Sequence, residues 1–315
     1  METILVTGGA GAIGGNLTRS LCGQGHSVVI LDDLSSGRRE LCDPRALFIE
    51  GDIADDAACA EAFGRKPAFV FHLAGFFANQ NSVDNPEKDL RTNGLGTLKI
   101  LEWCQKSKVR KLAFTSSSCV YENREEMGED APLAEFDTPY AVTKYMGERY
   151  CRYFSAQFGL DTVILRLFNS YGPGEHPGRY RNVIPNFFAL ALSGQPLPIT
   201  GTGNEVRDFN FVTDTISGIE KAMFVKTEPG DVFNVASGQG TRIEDLALAV
   251  NAFAKNGAGL AFAPRRSWDH VTRRIGLIEK ARKVLSYAPA VALPEGLART
   301  YGWFLETGAA EAAAA

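Results

Sequence analysis

Tyr140 and Lys144 stand four residues apart in the stretch Tyr140-Ala-Val-Thr-Lys144. On a helix that spacing puts a phenol and an ammonium on one face. An ammonium beside a phenol favours the phenolate and lowers its pKa toward working pH. A phenolate held this way can take a proton from an alcohol as hydride leaves the carbon that bears it. Three consecutive hydroxyls, Ser116-Ser117-Ser118, follow the strand-like run Leu112–Thr115. Hydroxyls at the carboxyl end of a strand lie where open α/β sheets bind ligands, and one of them can hydrogen-bond the reacting oxygen. Tyr and Lys at this spacing also occur by chance in many helices, so the assignment depends on what surrounds them.

A hydride needs an acceptor, and the start of the chain offers a place for one. Thr7-Gly8-Gly9-Ala10-Gly11-Ala12-Ile13-Gly14 follows the apolar run Ile4-Leu5-Val6 and opens a helical segment. Gly8 permits the turn off the strand, Gly11 lets a phosphate approach backbone, and Gly14 lets the helix pack close on the sheet. Free N–H groups at the helix start then face a diphosphate. The alternative is a glycine-rich turn without ligand; the order strand, glycines, helix favours a dinucleotide. A second strand ends in Asp32-Asp33, 18 residues past Gly14. A carboxylate there accepts hydrogen bonds from a ribose diol and repels a 2′-phosphate, so NAD is expected over NADP, despite Arg38 and Arg39 further on. Asp52-Ile53, ending a third strand, fits an adenine edge, and Asp52 reads nearly as well as a helix cap. His72-Leu73-Ala74-Gly75 ends a fourth strand with the small residues needed beneath a cofactor. His72 itself reads as a hydrogen-bonded core histidine.

These residues need a scaffold, and the pattern of the chain describes it. Strands are expected at Ile4–Val6, Ser27–Leu31, Ala46–Ile49, Ala68–Leu73, Lys111–Thr115 and Thr162–Leu167, with helices near 13–24, 55–63, 86–107 and 138–158. Alternating apolar strands and helices make an α/β fold: a Rossmann-type, doubly wound parallel sheet covered on both faces. The expected dinucleotide domain is 1–167, with later segments, about 211–235, contributing. Segment 168–210 is rich in Gly, Pro and Asn without a clean period. Arg207–Val212 then reads as one strand with polar alternation, followed by a helix (Thr213–Phe224), a strand (Val232–Val235), a helix (Ile243–Ala254) and a basic stretch (Arg265–Arg274). Residues 168–307 are expected to form a smaller, interleaved α/β substrate lobe, and 308–315 a flexible tail. Leu98, Leu101, Trp103, Tyr145, Met146 and Tyr153 put much apolar surface on two long helices; it reads either as core or as a two-fold helix-bundle interface of a homodimer.

Bulk properties exclude several classes. The 315 residues are 45% apolar and 22% charged, with net charge −4. A mildly acidic chain gives no reason to expect nucleic-acid binding. The amino terminus runs straight into a strand, without a basic leader or an apolar run long enough to span a bilayer, so a cytoplasmic protein is expected. Six scattered cysteines, with no C-x-x-C spacing and no clustered histidines, argue against zinc and against a disulfide framework.

Taken together the motifs resemble a known family: the extended short-chain dehydrogenases/reductases of the NAD-dependent nucleotide-sugar epimerase/dehydratase type. The matching stretches are TGGAGAIG (7–14), LDDLSSG (31–37), GDI (51–53), HLAG (72–75), SSSCVY (116–121), YAVTK (140–144), LRLFNSYGPG (165–174), NVIP (182–185) and RDFNFV (207–212), and they run through nearly the whole chain. The resemblance implies Ser117, Tyr140 and Lys144 as the catalytic set. It implies Gly8, Gly11, Ala12, Ile13, Gly14, Asp32, Asp33, Ser36, Gly37, Asp52, Ile53, Leu73, Ala74, Gly75 and Phe168 as cofactor contacts, beside Tyr140 and Lys144. Asn93 would order the cofactor and the active-site helix. Asn169, Asn182, Val183, Arg207 and Arg266 would hold the substrate's diphosphate or base, guanidinium being well matched to phosphate oxygens. Arg207 could instead pair with Asp208, and Arg266 could belong to a solvated basic run.

Residue differences within the family bear on the reaction. The resemblance implies that 4,6-dehydratases carry an acid two residues before the tyrosine of SSSCVY; here that position is Cys119, a poor acid for eliminating water. Relatives that use a cysteine there for epimerisation pair it with a histidine just before V-I-P, where this chain has Asn182. Cys119 therefore reads as a small apolar packing residue. C4 epimerisation of a UDP-sugar of the glucose/galactose type, through a transient 4-keto sugar, is the expected activity. A reductase or dehydrogenase on a nucleotide-linked sugar, an epimerase for UDP-glucuronate or a GDP- or dTDP-sugar, and a non-catalytic NAD-binding regulator are the alternatives. Gly174-Glu175-His176 after Y-G-P lacks the arginines expected for a glucuronate, although Arg179, Arg181 and Arg273 are nearby in sequence. Arg273 falls about where epimerases gate the C2 substituent.

Overall fold

The computed structural model describes residues 2–121, 127–131, 133 and 138–310. Its first half alternates β1 (Thr3–Thr7), α1 (Ala12–Gly23), β2 (Ser27–Asp32), β3 (Leu47–Glu50), α2 (Asp56–Phe63), β4 (Phe69–His72), α3 (Asn79–Asp84), α4 (Pro86–Asp89), a π-helical turn (Leu90–Gly96), α5 (Thr97–Lys106), β5 (Lys111–Ser117), α6 (Pro139–Phe158) and β6 (Asp161–Leu167). The second half adds β7 (Ser170–Tyr171), α7 (Val183–Leu192), β8 (Leu197–Thr200), β9 (Val206–Asp208), β10 (Asn210–Phe211), α8 (Val212–Phe224), β11 (Asp231–Val235), β12 (Gly240–Arg242), α9 (Ile243–Ala254), β13 (Leu260–Ala263), β14 (Arg273–Arg274), α10 (Glu279–Leu285) and α11 (Leu293–Thr307).

Among the described residues the central sheet runs β11-β6-β5-β4-β1-β2-β3, with every pairing parallel. Side-chain alternation along β1 explains its two covers. Ile4 and Val6 enter one core cluster with Leu17 and Leu21 of α1 and Ile219 and Met223 of α8, while Leu5 enters the other with Cys59 of α2, Leu101 of α5 and Phe154 of α6. The strand order reverses between β1 and β4. In open α/β sheets that switch point, at the carboxyl ends of the strands, is where ligands bind.

Helix α6 carries the Tyr/Lys pair and is well delimited. Thr138 caps its amino end by accepting from the Ala141 N–H, Pro139 occupies the first turn, and Gly159 closes it at φ +69°. A buried ion pair fixes the helix to the sheet. Glu148 of α6 takes a two-pronged bond from Arg166 of β6, at 2.9 and 2.8 Å, and accepts from Ser116 of β5 at 2.6 Å.

Several expectations change in the second half. Arg207–Val212 is not one strand: β9 joins β12 and β14, β10 pairs with β7, and α8 starts at Val212. The segment without a period contains α7, whose sequence VIPNFFALAL is apolar on most sides because Ile184, Phe187, Phe188 and Ala191 are all buried. Strand β11, from the later segment, joins the central sheet beside β6. In the tail, Gly308–Ala310 form a turn with Ala309 buried, which departs from a fully flexible tail; 311–315 lie outside the described residues.

Candidate active site

A cleft of about 580 Å³ opens at the switch point. One wall is the turn between β1 and α1. Gly8 sits at φ +72°, and a Cβ on it would come within 2.6 Å of the Ala74 backbone nitrogen. A Cβ on Gly14 would lie 2.1 Å from the Gly8 carbonyl, so only glycine lets α1 start this close to the strand. Gly11 meets only the Gly8 oxygen, at 3.3 Å, and as the amino-terminal cap of α1 it offers no side chain to the helix's free N–H groups. Gly11, Ala12 and Ile13 line the cleft, which leaves a cradle fit for a phosphate group.

The catalytic candidates form another wall. Ser117, Tyr140 and Lys144 all line the cleft, and all are buried. Lys144 donates to the Thr115 carbonyl at 3.0 Å and lies 5.7 Å from the centre of the Tyr140 ring. Burial lowers its pKa to about 8, against the opposing pull of Asp89. The phenol of Tyr140 is pushed well above its ordinary range, first by burial and then by neighbouring Cys119, while a hydrogen bond with Ser117 favours the phenolate. The protein alone therefore holds the phenol protonated, a departure from the lowering expected of Lys144. The physical reason is that burial outweighs any help from an ammonium directed at a carbonyl. Of the other serines, Ser116 is committed to Glu148.

Asn93, in the π-helical turn, accepts from the Phe76 N–H at 2.8 Å and donates to the Phe76 carbonyl at 3.1 Å and to Asp89 at 2.7 Å. Asp89 in turn accepts from Thr143 of α6 at 2.7 Å, so Asn93 ties the stretch after β4 to the active-site helix. His72 is fully buried between the hydroxyls of Thr7 and Thr97, with its pKa lowered to about 3 by burial and then by the charge of Lys144.

The remaining cofactor candidates divide. Ser36, Leu73 and Gly75 line the cleft. Asp32 is buried behind it and accepts 2.9 Å bonds from the Ala10 and Leu34 N–H groups. Exposed Asp33 accepts from Ser35, and Gly37 packs against Ala10. Ala74 sits under Gly8. Asp52 pairs with Arg91 at 3.0 Å, and the capping role weighed for it belongs to Asp55. Ile53 packs against Gly96, and Phe168 is fully buried against Gly276, so neither side chain lines the cleft.

Asn169, Asn182, Val183, Arg207 and Arg266 line the far side. Arg207 does not pair with Asp208. Its partner is Asp269 at 3.5 Å, while Asp208 accepts from Ser237, Gly238 and Gly276. Asn182 donates to Glu175 at 2.7 Å. Glu175 is buried, its other oxygen has no partner, and burial raises its pKa to about 7. Two sequence readings need correction. Cys119 is not simply packing: it is half-buried on the cleft wall, its sulfur 3.3 Å from Asn79 Nδ2 and 3.6 Å from Arg274 Nη1. The arginine that enters the cleft is Arg274; Arg273 lines a separate small cavity beside Gly238 and Arg282. Successive residues of a strand point to opposite faces, and the sequence alone left the register of this short strand undetermined. Among the described residues no three His, Cys, Asp or Glu side chains gather as metal ligands, and no helix is long and apolar enough to cross a membrane.

Comparison with known proteins places the chain. The family model described as the NAD dependent epimerase/dehydratase family matches residues 4–236. A UDP-glucose 4-epimerase of Mycolicibacterium smegmatis is 34% identical over 95% of this chain and 97% of its own length. A UDP-N-acetyl-α-D-glucosaminuronate decarboxylase of Bacillus cytotoxicus is 29% identical over 96% of this chain and 97% of its own. The solved structure of an epimerase from Methanothermobacter thermautotrophicus is 45% identical and superposes with a TM-score of 0.93 over 98% of this chain and 93% of that one.

Proposed function

The chain belongs to the NAD-dependent epimerase/dehydratase family, and from that premise we propose that it inverts C4 of a UDP-linked sugar, interconverting the gluco and galacto configurations as in the UDP-glucose/UDP-galactose pair. The observation that carries this reading is the meeting of Ser117, Tyr140 and Lys144 in a cleft that also holds a glycine cradle, Asn169 and Asn182, and Arg207 and Arg266. The cradle of Gly8, Gly11, Ala12, Ile13 and Gly14 fits the diphosphate of NAD, with Asp32 and Asp33 at the ribose end. What NAD supplies when bound is a reversible hydride acceptor beside the alcohol carbon, and its positive charge favours the phenolate.

Tyr140 takes the O4 proton and later returns it. Ser117 hydrogen-bonds O4 and the phenolic oxygen, so the proton has a short path. The Lys144 ammonium compensates the phenolate charge that burial alone opposes. Arg207, Arg266, Asn169, Asn182 and the backbone at Val183 anchor the nucleotide diphosphate. That leaves the sugar free to turn over, so that its 4-keto form can be reduced from the opposite face. Cys119, in the position of the dehydratase acid, puts a thiol there in place of a carboxyl proton donor.

The protein is also read as a homodimer. Val142 and Tyr153 of α6 are 47% and 52% exposed, with half-buried Met146 and Tyr150 between them at helical spacing. They make a stripe suited to a two-fold helix pair.

The test is to incubate the purified protein with UDP-galactose, UDP-glucose, UDP-galacturonate and UDP-glucuronate and to separate the products. Interconversion within either pair, without net NADH, is expected. A protein that binds NAD yet interconverts neither pair would refute the reading, and steady consumption of added NADH with keto-sugars would point to a one-way reductase.

A further inference from the structure

Among the described residues no carboxylate pairs with Arg274. The arginine lies in the cleft, where its Nη1 is 3.6 Å from the sulfur of Cys119. Its Nε is buried and, among the described residues, has no hydrogen-bond partner. A guanidinium presents its donors as a planar fork, and a buried N–H left unpaired costs its desolvation. Arg274 also shares its surroundings with other cations. Arg207 and Arg265 both lean on the same oxygen of Asp269, at 3.5 and 3.9 Å, and Arg266 lines the cleft nearby. Burial, and then the nearby charge of Arg274, holds the Arg207 guanidinium down to about 10. Asp269 is thus shared by Arg207 and Arg265, and among the described residues it forms no ion pair with Arg266 or Arg274.

A nucleotide diphosphate answers part of this excess through Arg207 and Arg266. Arg274 is placed differently: it contacts Cys119, whose backbone N–H donates to the Ser117 hydroxyl at 3.2 Å, and both line the cleft with Tyr140. Arg274 therefore faces the reacting end of the sugar. Neutral hydroxyls there would leave its charge uncompensated.

We propose that Arg274 selects a sugar whose ring bears a carboxylate, so that the substrate is a UDP-linked hexuronate and not the neutral hexose. The carboxylate would take the free Nε edge of the fork while Nη1 stays on Cys119, a bidentate match that an ammonium cannot copy. This rests on the C4-epimerase reading and narrows its substrate. It also revises the weight of the sequence evidence, where Gly174-Glu175-His176 counted against a glucuronate. The cation comes from β14, about a hundred residues later in the chain.

Binding separates this proposal from the question of turnover. In the Tyr140→Phe protein loaded with NAD, calorimetric Kd values would be measured for UDP, UDP-glucose, UDP-glucuronate and UDP-galacturonate. A uronate is expected to bind about ten- to a hundred-fold tighter than UDP-glucose, the range of a charged hydrogen-bond pair. Arg274→Gln and Arg274→Leu should abolish that preference with the affinity for UDP unchanged, which also reports that each variant is folded. Arg274→Lys should restore only part of it. Equal affinity for uronate and neutral hexose, or a preference that survives in the folded Gln variant, would overturn the proposal. Either result leaves C4 epimerisation by the parent protein to stand or fall on the product assay.

Discussion

At the scale of single residues, the proposed chemistry rests on Tyr140, whose phenol is pushed by burial well above its ordinary range. Tyr140→Phe should lower kcat by about a thousand-fold, in the range of lost acid–base catalysis, with NAD and UDP affinity retained. A variant with kcat within ten-fold of the parent would remove Tyr140 from the mechanism. Glu175 gives a separate test. Its carboxyl titrates at about 7 in the fold against an ordinary 4.5, because burial disfavours its charge. A raised folded pKa means the associated stability is present below pH 4.5 and is lost as pH climbs through 7. Glu175→Gln should therefore melt close to the parent at pH 4.5 and above it at pH 8, by an amount on the order of 2–3 kcal/mol. A pH-independent gap in melting temperature would contradict that. That Tyr140, Lys144 and the glycines meet at one cleft is legible in the sequence, because the helical spacing and the strand–glycine–helix order are local patterns. The surroundings of Cys119, Arg274 and Glu175 are not. Their neighbours come from distant segments, and nothing in a local pattern shows that a thiol will meet a guanidinium 155 residues away.

At the scale of elements, the proposed mechanism requires α6 to stay fixed while Tyr140 at its start exchanges a proton. The pair Arg166–Glu148, with both side chains at most 3% exposed, is the tie. Glu148→Leu alone leaves a buried guanidinium without its partner and should cost about 3–5 kcal/mol in urea unfolding. The double change Glu148→Leu, Arg166→Met should recover most of that loss. If the double variant is as unstable as the single, the pair is not what holds the helix. The strands and helices up to Leu167 were readable because period, glycine and capping signals agree along a parallel α/β chain. Beyond it, β9, β10 and β14 are two- or three-residue strands set by distant partners, and α7 hides its period by being buried on most sides.

For the whole molecule, β5 and α6 supply one side of the cleft, and residues from Asn169 to Val212 and from Arg266 to Arg274 supply the other. Asp84 of α3 accepts from Arg179 and Tyr180, and Trp268 donates to Gln80 at 2.9 Å, so both substrate-side loops rest on the same short helix. Tyr153→Glu on the apolar stripe of α6 should shift the protein from dimer to monomer in sedimentation; a monomeric parent would exclude the proposed pairing. The central claim is that the hydrogen on C4 leaves as hydride and returns to the same carbon. The most direct measurement follows deuterium at C4 of a UDP-sugar, whichever gluco/galacto pair the protein accepts, by NMR in ordinary water. The label should remain at C4 in both epimers, with turnover slowed by the isotope and lost in Tyr140→Phe. Washout of the label into solvent, or epimers formed with no dependence on Tyr140, would contradict the account.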